Sequence, residues 1–320
     1  MNPQYVIHDT SVIYSPALLF YKDLIRRNIA RAVELAGSPE RLRPHAKTHK
    51  TREIVRLQME AGIVKHKVAT VAEAEMVASC GAPDVLLDLD VGQHRTGIAP
   101  DVSAAVLYKQ IERTAGLRPG GLHVYDGHNH QDSPAEREAA VRSQLTPVLE
   151  LRQRLEQHGL PVPRLVLGGT PTFPMHARVQ EPGVECSPGT FVLHDNGYGS
   201  RFADLAGFTP AALLLTRVIS RPTERRITLD LGYKAVASDP PAGKRCVLLN
   251  VPEYEAVLQN EEHFVVETPH AGRFEPGDQV FAMPTHVCPT CAMHKLAYVV
   301  DGRRVVGTWD IVARDRVLAI

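Results

Sequence analysis

Short apolar runs alternate with stretches of helical periodicity over roughly the first 200 residues. Such alternation is expected of βα units built around a parallel sheet. Lys22 to Ala36 reads as an amphipathic helix, with Leu24, Ile25, Ile29, Val33 and Leu35 mostly on one face. The segment around Lys47 reads as the end of a strand, with Leu42 and Ala46 as apolar positions. Thr51 then caps a helix from Arg52 to Ala61. Further strands are expected at Val64–Thr70, Asp84–Val91, Gly121–Tyr125, Arg164–Leu167 and within Val184–Leu193. Helices are expected at Ala72–Ser79 and Pro134–His158. From about Thr216 the pattern changes to short β-branched runs separated by turns such as Pro240-Pro241-Ala242-Gly243. Val218–Leu231, Val280–Met283, Leu296–Val300 and Val305–Ile311 read as antiparallel strands. The expected division is an α/β domain over residues 1–210 and a β-strand domain over residues 211–320.

A chain of 320 residues can build two cores, or one barrel with an appended domain. Its 36 basic and 36 acidic side chains cancel and are interspersed, so no basic stripe points to nucleic acid. No apolar run reaches the roughly 18 residues of a membrane span. Met1-Asn2-Pro3-Gln4 lacks the charged-then-apolar layout of a secretory leader. Cys80, Cys186, Cys246, Cys288 and Cys291 are odd in number and without framework spacing, so reduced thiols and a cytoplasmic location are expected.

Several segments are dense in reactive side chains. Arg43, His45, His49 and Lys50 surround Lys47 in sequence and would lower its pKa by destabilising the ammonium. A lysine so perturbed at the C-terminal end of a barrel strand is placed to condense with a carbonyl; a solvated strand end is the alternative. Gly168-Gly169-Thr170-Pro171-Thr172 and Pro188-Gly189-Thr190 each follow a strand. Their glycines let the backbone approach an anion and their threonines add donors, although ordinary Gly-Pro turns look the same. In His123-Val124-Tyr125-Asp126-Gly127-His128-Asn129-His130, alternation puts His123 and Tyr125 on one face. A neutral His128 or His130 on the rim beyond them suits proton transfer. His286 and Cys288, as i and i+2 of an extended strand, would point the same way and suit a divalent metal. Imidazole with thiolate favours zinc, whereas manganese wants more oxygen. The rivals are a structural zinc held by His286, Cys288, Cys291 and His294, or no metal.

The Lys47 run and the His286-Val287-Cys288-Pro289-Thr290 run together resemble the D-threonine aldolase and D-serine dehydratase family. That resemblance implies a TIM-like (β/α) barrel of the alanine-racemase N-terminal type and a C-terminal antiparallel β-domain, which the N-terminal residues join. It implies pyridoxal 5'-phosphate on Lys47, with its phosphate near Gly169, Thr170, Thr172, Gly189 and Thr190. Arg95 would face the ring, and Tyr125 would contact ring or phosphate. His286 and Cys288 would hold zinc or manganese, and His130, ahead of His128, would take a substrate hydroxyl proton. Glu261-Glu262-His263 would support the metal site from outside, unless it is a solvated acidic turn. A homodimer and a small D-amino acid substrate are also implied.

The chain departs from the family in length. It offers six strand segments where a (β/α)8 barrel has eight. Two βα units, about 50 to 60 residues, are missing between Asp84-Val85-Leu86-Leu87 and Asp88-Leu89-Asp90-Val91, which are fused into one strand. The consequence is a smaller or distorted barrel, a sheet completed by a partner, or a compromised protein. The reading carried forward is a lyase on D-3-hydroxy amino acids. The paired histidines favour the D-threonine aldolase reaction. The His-x-Cys pair leans toward a D-serine or 3-hydroxy-D-aspartate dehydratase. An inactive cofactor-binding remnant is the reading from another class. A racemase is a weaker alternative, because it needs a second base on the opposite face.

Overall fold

Two sheets organise the chain, and the computed structural model describes residues 1–80, 87–115 and 119–315. β1 (Ala17–Tyr21) is an apolar run buried at every position, as a strand covered on both faces must be. α1 (Lys22–Ala36) follows directly and buries Leu24, Ile25, Ile29, Ala32 and Ala36. The expected stripe is correct at its start and shifted at its end. Val33 and Leu35 are half-buried, and the small side chains of Ala32 and Ala36 take the inner positions. α1 stops at Gly37, whose φ of 84° lets its N–H close on the carbonyls of Val33 and Glu34.

After the Lys47 segment come α2 (Arg52–Glu60) and α3 (Val71–Ala78). β2 (Leu87–Leu89), α4 (Val102–Arg113), β3 (Leu122–Tyr125) and α5 (Pro134–Gln157) continue the alternation. β4 (Leu165–Gly168), the short α6 (Phe173–His176) and β5 (Val184–Cys186) complete it. β2, β3, β4 and β5 pair in parallel in that order. Single parallel bridges, Leu42 to Cys186 and His45 to Lys67, extend the arc by two segments. The result is a shortened α/β barrel wall. Among the described residues, no bridge joins Lys67 to β2.

Two expectations need correcting here. Val64–Thr70 is not a strand; Lys67 alone makes a bridge, because this segment finds a neighbour on one side only among the described residues. Pairing in the Lys47 segment stops at His45, and the chain then tightens into a 3-10 turn over Ala46–Thr48. Residues 84–86 of the expected Asp84–Val91 strand lie outside the described residues. α4 escaped the periodicity because Val102 and Val106 are exposed, which blurs its apolar stripe. The side chain of Asp101 caps it by accepting the Ser103 N–H at 2.8 Å.

The second domain follows α7 (Asn196–Gly199). It contains β6 (Ala212–Thr223), β7 (Arg226–Leu229), β8 (Cys246–Leu248), β9 (Glu255–Gln259) and β10 (Phe264–Glu267). β11 (Gln279–Pro284), α8 (Val287–Met293), β12 (Leu296–Asp301) and β13 (Arg304–Asp310) close it. The sheet runs β13-β12-β1-β6-β7-β10-β9, with β11 joining β6 to β8. β1 thus lies inside the second sheet, parallel to β12 and antiparallel to β6. No helix among the described residues is long and apolar enough to cross a membrane.

One buried cation ties the wall together. Arg137 on α5 is fully buried. It donates to both Asp204 oxygens at 2.5 and 2.6 Å and to the Pro171 carbonyl at 2.9 Å. Its guanidinium also stacks 4.6 Å over the Phe202 ring. Arg137→Ala leaves Asp204 without its partner, so we expect a loss of about 3 to 5 kcal/mol in urea unfolding. A loss below about 1 kcal/mol, as for a surface pair, would contradict this role.

Candidate active site

The turn that carries Lys47 is fixed at both ends. His45 N–H donates to the Pro188 carbonyl at 3.0 Å, and Ala46 N–H to the Lys67 carbonyl at 2.8 Å. At its far end Lys50 adopts a positive φ of 53°. The Lys50 ammonium there pairs with the buried Glu73 carboxylate. Lys47 projects into a cavity of about 490 Å³ between the two domains. Burial lowers its pKa, with Arg95 and Lys50 adding to the effect and the Cys288 thiol group opposing it. This corrects the cause assigned from sequence. Arg43 is engaged elsewhere, 2.6 Å from Glu185.

Tyr125, at the end of β3, is the meeting point of three cations. Lys47 Nζ lies 5.3 Å, Lys67 Nζ 5.1 Å and Arg95 Cζ 4.8 Å from its ring centroid. Burial raises the Tyr125 pKa, partly offset by Arg95. Across the cavity, the turn after β4 meets the turn after β5. Thr170 Oγ1 accepts the N–H groups of both Gly189 and Thr190 at 3.1 Å. A Cβ on Gly169 would sit 2.7 Å from Asp126 Oδ1, and one on Gly189 would sit 3.1 Å from Thr48 Oγ1. A side chain at Gly169 would force the neighbouring groups apart, and one at Gly189 would fit only tightly. Ser187 between them is 3% exposed, and its hydroxyl has no hydrogen-bond partner among the described residues.

The opposite wall comes from the second domain. His286 and Cys288 do not lie in an extended strand. His286 is the residue before α8, and Cys288 belongs to its first turn. A seven-residue helix has replaced the strand after Pro284, and its first turn still brings both side chains to the cavity. Cys288 Sγ lies 3.2 Å from Thr48 Oγ1 and 3.5 Å from Thr190 Oγ1. His286 Nδ1 is 2.5 Å from Asp239 Oδ2. Burial acts to lower the His286 pKa, but Cys288 and Asp239 outweigh it and lift the value to about 9. Asp195 reaches this turn from the barrel side, its carboxyl pushed up to about 6 by burial against two N–H donors. The structural-zinc arrangement does not assemble. Cys291 is fully buried in the apolar core, and His294 Nε2 turns to the Ala235 carbonyl at 2.8 Å. Among the described residues, no three His, Cys, Asp or Glu side chains cluster closely enough to share one metal ion.

The remaining candidates divide. Gly169, Thr170, Gly189, Thr190 and His130 line the cavity with Lys47. Burial, Arg201 and His128 lower the His130 pKa, against a smaller opposing effect of Asp126. His128 is set back, 2.8 Å from Gln144. Thr172 is also turned away and donates to Asp126 Oδ1 at 2.9 Å. Glu261 and Glu262 are exposed and pair with Lys234 at 2.6 and 3.1 Å, so that segment is a solvated turn. Sequence reasoning missed Ser187, Asp195, Tyr198 and Asp239. Ser187 directly precedes the Pro188-Gly189-Thr190 turn, which was the available signal.

Comparison with known proteins fits this geometry. The "Putative serine dehydratase domain" model matches residues 211–300, and the "Alanine racemase, N-terminal domain" model matches residues 81–195. A D-threonine aldolase of Arthrobacter sp is 30% identical over 262 residues, covering 78% of this chain and 65% of that protein, just under two thirds of its length. A D-threo-3-hydroxyaspartate dehydratase of Delftia sp. (strain HT23) is 24% identical over 370 residues, covering 92% of this chain and 96% of that protein. A 370-position alignment against 320 residues leaves at least 50 positions opposite gaps in this chain. The crystal structure of D-threonine aldolase from Filomicrobium marinum shares the fold, with a TM-score of 0.86 at 24% identity, over 95% of this chain and 97% of that one.

The lowered pKa of Lys47 gives a direct expectation. More of its amine is neutral at pH 8 than for an ordinary lysine of pKa about 10.4. Competitive acetylation across a pH series should show Lys47 reacting with a midpoint below that of the exposed lysines. A midpoint at the ordinary value would contradict the burial argument.

Proposed function

We propose that the chain belongs to the D-threonine aldolase and D-serine dehydratase family and is a lyase on D-3-hydroxy amino acids that uses pyridoxal phosphate and a divalent metal. One observation carries this reading. A single cavity is lined by Lys47 from one end of the chain and by His286 and Cys288 from the other.

The residues present fit both groups. The unpartnered Ser187 hydroxyl and the two glycine turns suit a phosphate. The three cations around Tyr125 suit an anionic ligand, and the cavity size is that of a cofactor site. Lys47 would hold the cofactor's aldehyde carbon. Gly169, Thr170, Ser187, Gly189 and Thr190 would hold the phosphate, and Arg95 would face the ring. His286 and Cys288 are a donor set suited to zinc. Asp239 on His286 Nδ1 leaves Nε2 for the ion.

When bound, the cofactor supplies an electron sink for charge developing at the substrate Cα, and the metal a Lewis acid at the β-hydroxyl. The protein's own groups handle position and protons. Lys47, its charge disfavoured by burial, would hold the cofactor and could act as a base for a proton beside it. Arg95 does not give up its proton, so beside a cofactor ring it would leave a facing ring nitrogen unprotonated. His130 is biased toward the neutral form and stands on the rim. There it can take the β-hydroxyl proton as the Cα–Cβ bond breaks to glycine and an aldehyde. This favours the D-threonine aldolase reaction. Dehydration to a keto acid and ammonia is the second reading. Thr48 favours it by placing Cys288 3.2 Å from the Lys47 turn, so that a base for the α-proton adjoins the group that helps hydroxide leave. Retention of the cavity despite the shortened wall speaks against an inactive remnant. A cytoplasmic homodimer completes the proposal.

The test is a product assay with protein, pyridoxal phosphate and Zn²⁺. D-threonine should give glycine and acetaldehyde, and chelation should abolish turnover. His130→Ala should lower kcat by about 10²- to 10⁴-fold. Ammonia without aldehyde would select the dehydratase. Neither product from D-threonine, D-serine or D-threo-3-hydroxyaspartate would sink the lyase reading.

A further inference from the structure

Asp195 sits where the two domains meet, and no role assigned above uses it. It is 2% exposed. Its Oδ1 accepts the Tyr198 N–H at 3.0 Å, which caps α7. Its Oδ2 accepts the Val287 N–H at 3.0 Å, at the first residue of α8 and 92 positions further along the chain. One carboxylate therefore joins a barrel turn to the backbone between His286 and Cys288. α8 has no side-chain cap of its own, so this acceptor comes from the other domain.

The contacts around this link are close. Gly197 N–H donates to the Thr285 carbonyl at 3.0 Å. A Cβ on Gly197 would sit 2.4 Å from that carbonyl oxygen. From the other side, Thr290 Oγ1 donates to the His286 carbonyl at 2.8 Å and accepts the Ala237 N–H at 3.1 Å. The His286–Val287–Cys288 backbone is thus pinned from both domains. Tyr198, on the turn that Asp195 caps, lines the same cavity as Lys47.

We propose that Asp195 is a positioning residue for the metal donor pair, holding the His286–Val287–Cys288 backbone in register with Lys47. The proposal rests on the reading of His286 and Cys288 as metal donors. With two protein donors, no third side chain among the described residues corrects an error in the angle between imidazole and thiolate. The backbone must set that angle, and loss of a group that orients a donor typically costs about 10- to 100-fold in metal affinity. An ionised acceptor on a backbone N–H, shielded from water, is a strong restraint.

The test uses the full chain loaded with pyridoxal phosphate and titrated with Co²⁺, whose thiolate-to-metal charge-transfer band reports ligation by Cys288. Two variants remove the link from opposite ends. Asp195→Asn keeps the size of the side chain but leaves one acceptor oxygen for two donors. Val287→Pro deletes the donating N–H at a first helical position, where proline fits. His286 before it is already extended, at φ −129° and ψ 101°. Each variant should bind Co²⁺ about 10- to 100-fold more weakly, with a weakened charge-transfer band. Cofactor absorbance should stay close to wild type, and the melting temperature should fall by no more than the few degrees that one lost buried hydrogen bond costs. The double variant should be no worse than the weaker single, because both remove one contact. Wild-type Co²⁺ affinity in either variant would overturn the role. So would a parallel loss of cofactor and fold. A wild-type protein that takes up Co²⁺ with no thiolate band would overturn the metal reading itself, and this role with it.

Discussion

The site depends on one seam. The turn before α8 must dock against the turns after β5, because Lys47 lies on one side of that contact and His286 with Cys288 on the other. Thr48 and Thr190 touch Cys288 directly, at 3.2 and 3.5 Å. Backbone contacts from Gly197 to Thr285 and from Val287 to Asp195 set the register. These bonds are buried, so water does not compete for them and each loss leaves a polar group unsatisfied. The covalent connection helps as well. β1 lies inside the second sheet between β12 and β6, so the chain starts in one domain, builds the other and returns. The two domains therefore share a core and do not hang on a single linker.

Charge at the site follows from that docking. Closing the seam removes water from Lys47, and burial lowers its pKa more than any single neighbour does. The cations gathered on Tyr125 are tolerable beside a polarisable ring face. They are better satisfied by an anion, and the adjacent glycine turns provide its backbone approach. Shape and charge select the same kind of ligand.

Much of this was legible along the chain. The Lys47 run, the glycine turns and the His286–Cys288 pair were visible because each concentrates unusual residue types in a few positions. The change from helical alternation to short β-branched runs separated the two sheets. What escaped depended on distant partners. Asp195 is one aspartate in a turn until Val287 reaches it from 92 residues away. Ser187 gains meaning from its lack of a partner among the described residues, which no sequence displays. The period-two argument for His286 and Cys288 assumed a strand, and the chain forms the first turn of a helix there instead. Val64–Thr70 had strand composition but, among the described residues, pairs only through the single bridge from Lys67 to His45. The shortened wall was read from a fused motif, part of which lies outside the described residues; on its far side the βα order resumes with β2, β3, β4 and β5.

The central claim is that Lys47 is the residue that holds the cofactor. The measurement that tests it most directly is borohydride reduction of the protein with pyridoxal phosphate, followed by peptide mapping of the fixed pyridoxyl group. The expected result is one labelled peptide, carrying the group on Lys47. Label on Lys67, whose ammonium lies as close to Tyr125, or label spread over surface lysines, would contradict the account.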